Sequence, residues 1–590
     1  MYLRCNKRIK DGKEHLYWNI VESKRCAGGK VVQRQVLYLG EINDSQREAW
    51  CEVIEAFDEG TQRSTQLALF PAERAVPEHA KDYGVQVRLN GMQLHRPRQW
   101  GACWLACTLY EQLELDQFWA NHLPDSREGT CWRDILQTLV CYRLIDPGSE
   151  WRLHRLWFEQ SAMADLLGQD YALVEKNALY RCLDKVLPHK AEFFSHLQRR
   201  WQDLFGARFD VLLYDLTSTY FESSPPTEKA DKRRYGYSRD KRSDCVQVVI
   251  ALIVTPEGFP LAYEVLPGNT TDNTTLRSFL QKIETQYGKA RRTWVMDRGV
   301  PTEDVLAEMR QADPPVFYLV GTPKGRLSKL ETQLLGLPWH RVRDGVEVKL
   351  LPQEQDLYVL ARSRSRVNKE RAIRRRQLKR LWARLKQLSA MDLKREELLM
   401  KLGAARGKSP AAWRLIDTKM APKEATFRFE LNRQKLRRVR RREGRYLLRT
   451  NLRGQDPANL WQFYIQLVEI EAAFKNLKDD LGLRPIHHQL EQRIEAHIFV
   501  AFMAYCLHVT LRARLKPLAR GLTPRAVLDK LTAIQMLDVH FPTTDGRTLI
   551  LSRYTELNTD QKLLVSQLNL SLPPQPPPRI SALTQVAGNR

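Results

Sequence analysis

At 590 residues, with 43% hydrophobic and 9% aromatic side chains, the chain is long enough for several domains and apolar enough to fold, which excludes a disordered class. Lys and Arg outnumber Asp and Glu by 94 to 69, leaving a formal net charge of +25, an excess that points to a polyanion partner because it is clustered. No run of about 18 apolar residues is available to span a bilayer, and the opening MYLRCNKRIKDGKEH is too polar for a signal core, so a cytoplasmic protein with no membrane partner is expected.

Residues 1–57 alternate apolar and polar positions around glycine-containing turns, as in HLYWNIVESKRCAGGKVVQRQVLYLG, and predict a small β-rich module closed by a helix over SQREAWCEVIEAF. Residues 58–99, with Pro71 and Pro77, read as a linker region. From 100 to 205 the apolar spacing is helical, with Ser149 and Asn177 as candidate N-caps. This helical domain either docks on DNA through Arg152, His154 and Arg155 or scaffolds the rest. Cys103 and Cys107 fall on a helical apolar pattern with no second pair at zinc spacing, so both are expected in the core.

The texture changes at 206–321. FDVLLYDLTSTYFE, CVQVVIALIVT and FPLAYEVLPGN read as an antiparallel meander, followed by a helix from about Asp272, the strand RTWVMDRG, the helix TEDVLAEMRQA and the strand VFYLVG. Asp215 interrupts the first strand and Asp297 ends the fourth. A carboxylate buried in an apolar strand must be paired, protonated or bound to a metal. Three antiparallel strands followed by alternating helix and strand is the order of a ribonuclease-H-like core.

An inserted domain is expected at 322–455, because 173 residues separate Asp297 from Glu471. EVKLLPQEQDLYVLARS, TFRFELNRQKLRRVRRR and GRYLLRTNL look β-like, whereas 367–402 look helical. The basic excess gathers here: residues 362–386 hold twelve basic side chains against one acidic, and 433–445 eight against one. Arg374 and Arg375 in the first run and Arg438 and Arg441 in the second are candidate contacts to a phosphate backbone. At 456–515, WQFYIQLVEIEAAFKNLKDDLGLR reads as one helix ended by Gly482 and Pro485. Tyr464, Glu471 and Lys478 recur every seven residues and so stack along one face. Glu469, about 200° from Glu471, is its rival, and Asp272, better read as a helix cap, is the rival for Asp297. RIEAHIFVAFMAYCLHVTLRARL is expected as a core helix, and 516–590 as a C-terminal region with a disordered Pro-rich tail. Trp294, Trp413 and Trp461 read as packing residues. His487 and His488 are adjacent, a weak metal signal.

Phosphodiester chemistry at neutral pH is served by two divalent ions held by a few carboxylates, and Asp215, Asp297 and Glu471 supply that number. YDLTSTYF, YGYSRDKRSDCVQVVIALIV, PLAYEVLPGNTTDNTTL and WVMDRG, together with the helix carrying Glu471, resemble the DDE transposases of bacterial insertion sequences, in the branch with a β-rich insertion. That branch carries Tyr, two residues, Arg, three residues, Glu, six residues, Lys. Tyr464, Glu471 and Lys478 match it, and Leu467 stands at the Arg position. The resemblance implies an α/β protein with a ribonuclease-H-like catalytic core and a β-rich insertion, preceded by a small β module and a helical domain. It implies two Mg²⁺ ions, with Mn²⁺ as a substitute, on Asp215, Asp297 and Glu471. It also implies DNA contacts from Tyr464, Lys478 and Arg484, and a homodimer pairing two element ends on double-stranded DNA. Water would free a 3′-hydroxyl at the element end, and that hydroxyl would attack target DNA. A nuclease of the same core without joining activity, and an inactive DNA-binding derivative, stay open at this point.

Overall fold

The computed structural model describes residues 2–10, 13–25, 31–41, 54–58, 63–67, 85 and 87–581, apart from 227, 229–230, 323, 354, 422–424 and 520. Contacts divide the chain into two units: Met1–Arg98 with Ile534–Asn558 and Ser571–Arg590, and Gln99–Ala533 with Thr559–Leu570.

In the first unit, Tyr2–Lys10, Lys13–Arg25 and Val31–Glu41 form an antiparallel sheet where alternation predicts strands. The helix expected over 45–57 lies largely outside the described residues, and its end, Ile54–Asp58, is instead a strand paired with Arg63–Leu67 in the linker region. A second sheet joins Gln93–Gln99 to Gln535–Pro542, Thr548–Tyr554 and Arg579–Ile580. Its buried Arg98 holds Asp538 through two bonds of 3.0 Å. The Pro-rich segment is therefore ordered as far as this edge strand: Tyr554 donates to the Pro573 carbonyl at 2.7 Å and Arg553 to that of Pro576 at 2.6 Å. Proline has no N–H to build a backbone ladder, so these carbonyls accept from side chains instead.

The second unit is built on a nine-stranded sheet. Its strands are β1 (Val211–Phe221), β2 (Val246–Val254), β3 (Pro260–Pro267), β4 (Thr293–Met296), β5 (Phe317–Gly321), β6 (His340–Arg343), β7 (Val346–Pro352), β8 (Leu357–Ser363) and β9 (Arg445–Thr450), in the order β6-β7-β8-β9-β5-β4-β1-β2-β3. The meander β1–β3 is antiparallel, β4 and β5 run parallel to β1, and α1 (Leu276–Tyr287) and α2 (Glu303–Gln311) fall between them. All nine residues of β2 are buried, as a strand covered on both faces requires.

The segment 322–455 has two parts. β6–β9 prolong the sheet, because β9 pairs with both β8 and β5. The other part is a lobe in which α3 (Arg364–Ser389), α4 (Arg395–Lys408) and the hairpin Ile416–Met420/Phe427–Leu431 close around Leu381, Leu385, Leu388, Leu398 and Phe427, and α5 (Arg433–Arg442), which buries no residue, follows the hairpin. α5 departs from the β-like reading of TFRFELNRQKLRRVRRR. Alternation ends at Leu431, Asn432 caps the next turn by accepting from the Lys435 amide at 2.8 Å, and Arg, Lys and Leu favour a helix.

The expected single helix over 461–484 is broken into α6 (Pro457–Ile465), α7 (Leu467–Lys475) and a π turn over Asn476–Asp480. After it, α8 (Glu491–Leu518) is buried continuously from Ala496 to Leu511. By length and composition it would cross a membrane, but 94% of its apolar window is buried inside the protein. The helices Gly101–Gln112, Trp132–Ile145 and Lys176–Val186 pack against α8 on one side. On the other, Phe502 stacks on Tyr263 of β3 at 4.0 Å, and Tyr505 donates to the Gly258 carbonyl at 2.8 Å. Ser149 caps as expected; Asn177 does not, because Glu175 accepts from the Ala178 amide at 3.0 Å. Arg152 is held by Asp146 at 2.6 Å and His154 by the Val174 carbonyl at 2.9 Å, so neither is a free groove-reading side chain. Cys103, Cys107, Trp294 and Trp461 are buried, as expected.

Phe499 touches Trp119, Phe193 and Tyr263 from the middle of α8. Phe499→Ala is expected to destabilise this unit by about 3–5 kcal/mol, read as a lower urea midpoint in far-ultraviolet circular dichroism.

Candidate active site

The site starts from strand register. In the parallel pair β1–β4, Tyr214 stands opposite Met296, and in β4–β5, Met296 stands opposite Val320. The next residue on each strand is Asp215, Asp297 and Gly321, so these three form a row across the C-terminal ends of strands about 4.8 Å apart. Tyr214 faces the other way and donates to Thr275 Oγ1 at 2.7 Å, leaving Asp215 on the face where α7 packs against β1 and β2.

Gly321 keeps this row open. A Cβ there would stand 3.2 Å from Asp297 Oδ1 and 3.3 Å from the Tyr464 hydroxyl, so Asp297 and Tyr464 converge over a bare strand position. With Glu471 and Asp215 they line one cleft of ≈ 420 Å³, to which Arg298, Arg366 and Arg445 also contribute. Asp297 and Glu471 are exposed and Asp215 is half-buried. Among the described residues, none of the three carboxylates makes an ion pair with a side chain.

Burial, reinforced by Asp297 and Asp272, pushes the Asp215 carboxyl up to about 6, against the Leu216 amide and the Arg239 charge. Burial and then Asp297 push the Tyr464 phenol up to about 12, opposed by Arg366 and Arg298. Tyr464 is thus a hydroxyl donor at neutral pH, not a nucleophilic phenolate. The Arg366 guanidinium lies 4.7 Å over the Tyr446 ring. Burial and the nearby Arg362 hold Arg445 below the ordinary guanidinium range, and its buried Nε has no hydrogen-bond partner among the described residues.

Other expected contacts are drawn elsewhere. Lys478 donates to Asp240 Oδ1 at 2.9 Å, and Arg484 bonds the same oxygen and Asp479 at 2.8 Å. The π turn that carries Lys478 takes it off the straight face expected from heptad spacing. Arg374, expected on a charged surface, is buried and paired with Glu443, because it lies on the inner face of α3; Arg375, Arg438 and Arg441 are exposed. Glu469 pairs with Arg512 at 3.0 Å and Asp272 with Arg239 at 2.6 Å. Leu467 lines the cleft. His488 meets Glu150 at 3.3 Å and His497 meets it at 3.4 Å, but Arg143, 3.8 Å from Glu150, already supplies the cation of that buried group.

Sequence reasoning missed Arg298, Gly321, Arg366 and Arg445 as cleft residues. Only Arg298, directly after Asp297, carried a local signal.

Residues 207–507 match the family model for the transposase DDE domain, and residues 3–66 match that for the N-terminal domain of IS1634 family transposases. Among solved structures, a cryo-EM structure of a piggyBac transposase synaptic complex with hairpin DNA is similar at 9% identity and a TM-score of 0.35, over 75% of this chain and 82% of that one. No curated protein matches the chain. With the DDE match extending over half of its length and the N-terminal match preceding it, the chain belongs to the DDE transposases of insertion sequences.

Proposed function

We propose that this transposase binds the ends of its element and cuts and joins DNA strands at the cleft of Asp215, Asp297 and Glu471, on a ribonuclease-H-like core formed by β1–β5. The observation that carries this reading is the convergence of three carboxylates without ion-pair partners on one cleft that also holds Tyr464 and three arginines. The donor set, all carboxylate oxygen, suits Mg²⁺ or Mn²⁺, whose charge would offset the burial and the neighbouring carboxylates that raise the Asp215 pKa. When bound, two such ions would activate the attacking oxygen and stabilise the leaving one.

The chain's own residues do the rest. Tyr464 donates its hydroxyl to a phosphate oxygen beside the cut bond. Arg298, Arg366 and Arg445 neutralise the phosphate and fix its orientation. Arg375, Arg438 and Arg441, exposed on the lobe of the insertion, follow the DNA backbone farther out. Two ends must be cut, so the working form is a homodimer acting on double-stranded DNA in the cytoplasm.

The direct test is joining of an end-labelled duplex carrying the element's terminal sequence to a plasmid in Mg²⁺. Asp215→Asn, Asp297→Asn and Glu471→Gln are each expected to lower joining by about 10²- to 10³-fold while binding DNA normally. Full joining by all three would overturn the assignment, and cutting without joining by the wild type would make the protein a nuclease.

Gly321→Ala pushes on Asp297 and Tyr464 without touching the apolar core. Joining is expected to fall about tenfold or more, because misplacement of under 1 Å is already costly, with the melting temperature unchanged.

Asp215 gives a pH signature. Its folded pKa is raised, so the metal-free folded state binds the proton more tightly than the unfolded state does. The contribution of this group to stability then falls as pH rises from about 4 to about 6. Metal needs the deprotonated form. Mg²⁺ should therefore raise the melting temperature more at pH 7.5 than at pH 5, and Asp215→Asn should remove that difference.

A further inference from the structure

The connection from β1 to β2 carries the sequence Asp231-Lys-Arg-Arg-Tyr-Gly-Tyr-Ser-Arg-Asp240 and is fastened at nearly every residue. Arg233 holds Asp231 at 2.7 Å and Gln489 at 2.7 Å. Arg234 and Gln247 exchange backbone bonds of 3.0 and 2.9 Å. The Gln247 amide donates to the carbonyls of Tyr237 at 3.2 Å and Gly268 at 2.8 Å. Beyond the tip, Arg239 is held by Asp272, and Asp240 by Lys478 and Arg484.

At the tip, Gly236 is pressed on Gly268. A Cβ on Gly236 would stand 2.1 Å from the Gly268 carbonyl oxygen, so no side chain fits on that side. The two flanking rings turn outward: Tyr237 is 86% exposed and Tyr235 54%. A single exposed aromatic is ordinary. Two of them on a segment whose backbone is locked by glycine packing, an amide clamp and ion pairs are preorganised for a flat ligand, because ordering them costs little on binding.

Their location narrows the ligand. The Arg239 amide meets Ser218 Oγ at 3.4 Å, on the face of β1 that Tyr214 shares, and the Arg239 charge acts on Asp215 from that segment. Asp240 ties the same segment to the turn that follows the Glu471 helix. Lys241, exposed and in the left-handed region at φ +62°, adds a cation four residues after Tyr237. An exposed aromatic pair on a cationic segment that is tied to β1 and to the turn after the Glu471 helix has the chemistry of a nucleobase platform.

We propose that Tyr235 and Tyr237 stack on an unpaired base of the DNA strand entering the cleft, and so favour DNA whose end is opened beside the scissile phosphate. The proposal rests on the strand-cutting reading above. The full-length protein would be titrated, in EDTA so that nothing is cut, with two duplexes ending in the element's terminal sequence. One is fully paired; the other carries an unpaired 2-aminopurine flap at the end.

Wild type is expected to bind the flap duplex more tightly and to quench its fluorescence. Tyr237→Ala should lose about 5- to 150-fold in affinity for the flap duplex, the range of one base stack, and most of the quenching, with paired-duplex affinity kept. Tyr237→Phe should behave as wild type, and matching circular dichroism melts would show both variants folded. Equal flap preference and quenching in Tyr237→Ala would overturn the platform while leaving the cutting site untouched. Failure of wild type to bind either duplex would overturn the DNA-end reading itself, and the platform with it.

Discussion

The cleft depends on one register. Tyr214 opposite Met296 and Met296 opposite Val320 bring Asp215, Asp297 and Gly321 into line. A slip of one residue in β1 would exchange Asp215 for Tyr214, moving the carboxylate to the face where Thr275 now receives the phenol. The alignment sets like charges side by side, which adds to the burial that raises the Asp215 pKa. It persists because the same strands bury aliphatic side chains on both faces, each worth about 1.5–3 kcal/mol. The repulsion between two partly solvated carboxylates is small beside the burial of a strand such as β2.

The third carboxylate depends on rotation. Ile470, Ala473 and Phe474 bury one side of α7, and Glu469 is drawn to Arg512 of α8, which also bonds the Glu257 carbonyl. Two positions on a helix lie about 200° apart, so holding Glu469 toward α8 leaves Glu471 toward the cleft. The burial of α8 thereby reaches the site: the helix that centres the apolar core also supplies the guanidinium that fixes the neighbour of Glu471.

The strand carboxylates were legible because a charge interrupting an apolar strand is a local anomaly that needs no partner to be seen. Glu471 was legible only in company with Tyr464 and the two Asp residues, since nothing local separates it from Glu469. What stayed hidden depends on pairings between residues far apart in sequence. Gln93–Gln99 joins strands more than 400 residues later, Arg374 finds Glu443, and Lys478 and Arg484 both find Asp240. In each case composition gave the charge correctly and the fold decided which charges were neutralised internally. The break between α6 and α7 was likewise invisible, because the apolar spacing of 457–475 runs through it unaltered.

The same sorting of charges changes the standing of the insertion. The cations expected after Glu471 are occupied by Asp240, and Leu467 offers none. The guanidinium groups lining the cleft are instead Arg298, beside the second carboxylate, and Arg366 and Arg445, from α3 and β9 of the inserted segment. β9 is hydrogen-bonded to β5 with Gly321 opposite Leu448, so the strand that ends in the open position of the carboxylate row is also the strand on which the insertion is mounted. An insertion attached by a flexible linker would have left β5 as an exposed edge and the cleft with one arginine. By continuing the sheet, it places two more at positions fixed by the same ladder that aligns Asp215 with Asp297.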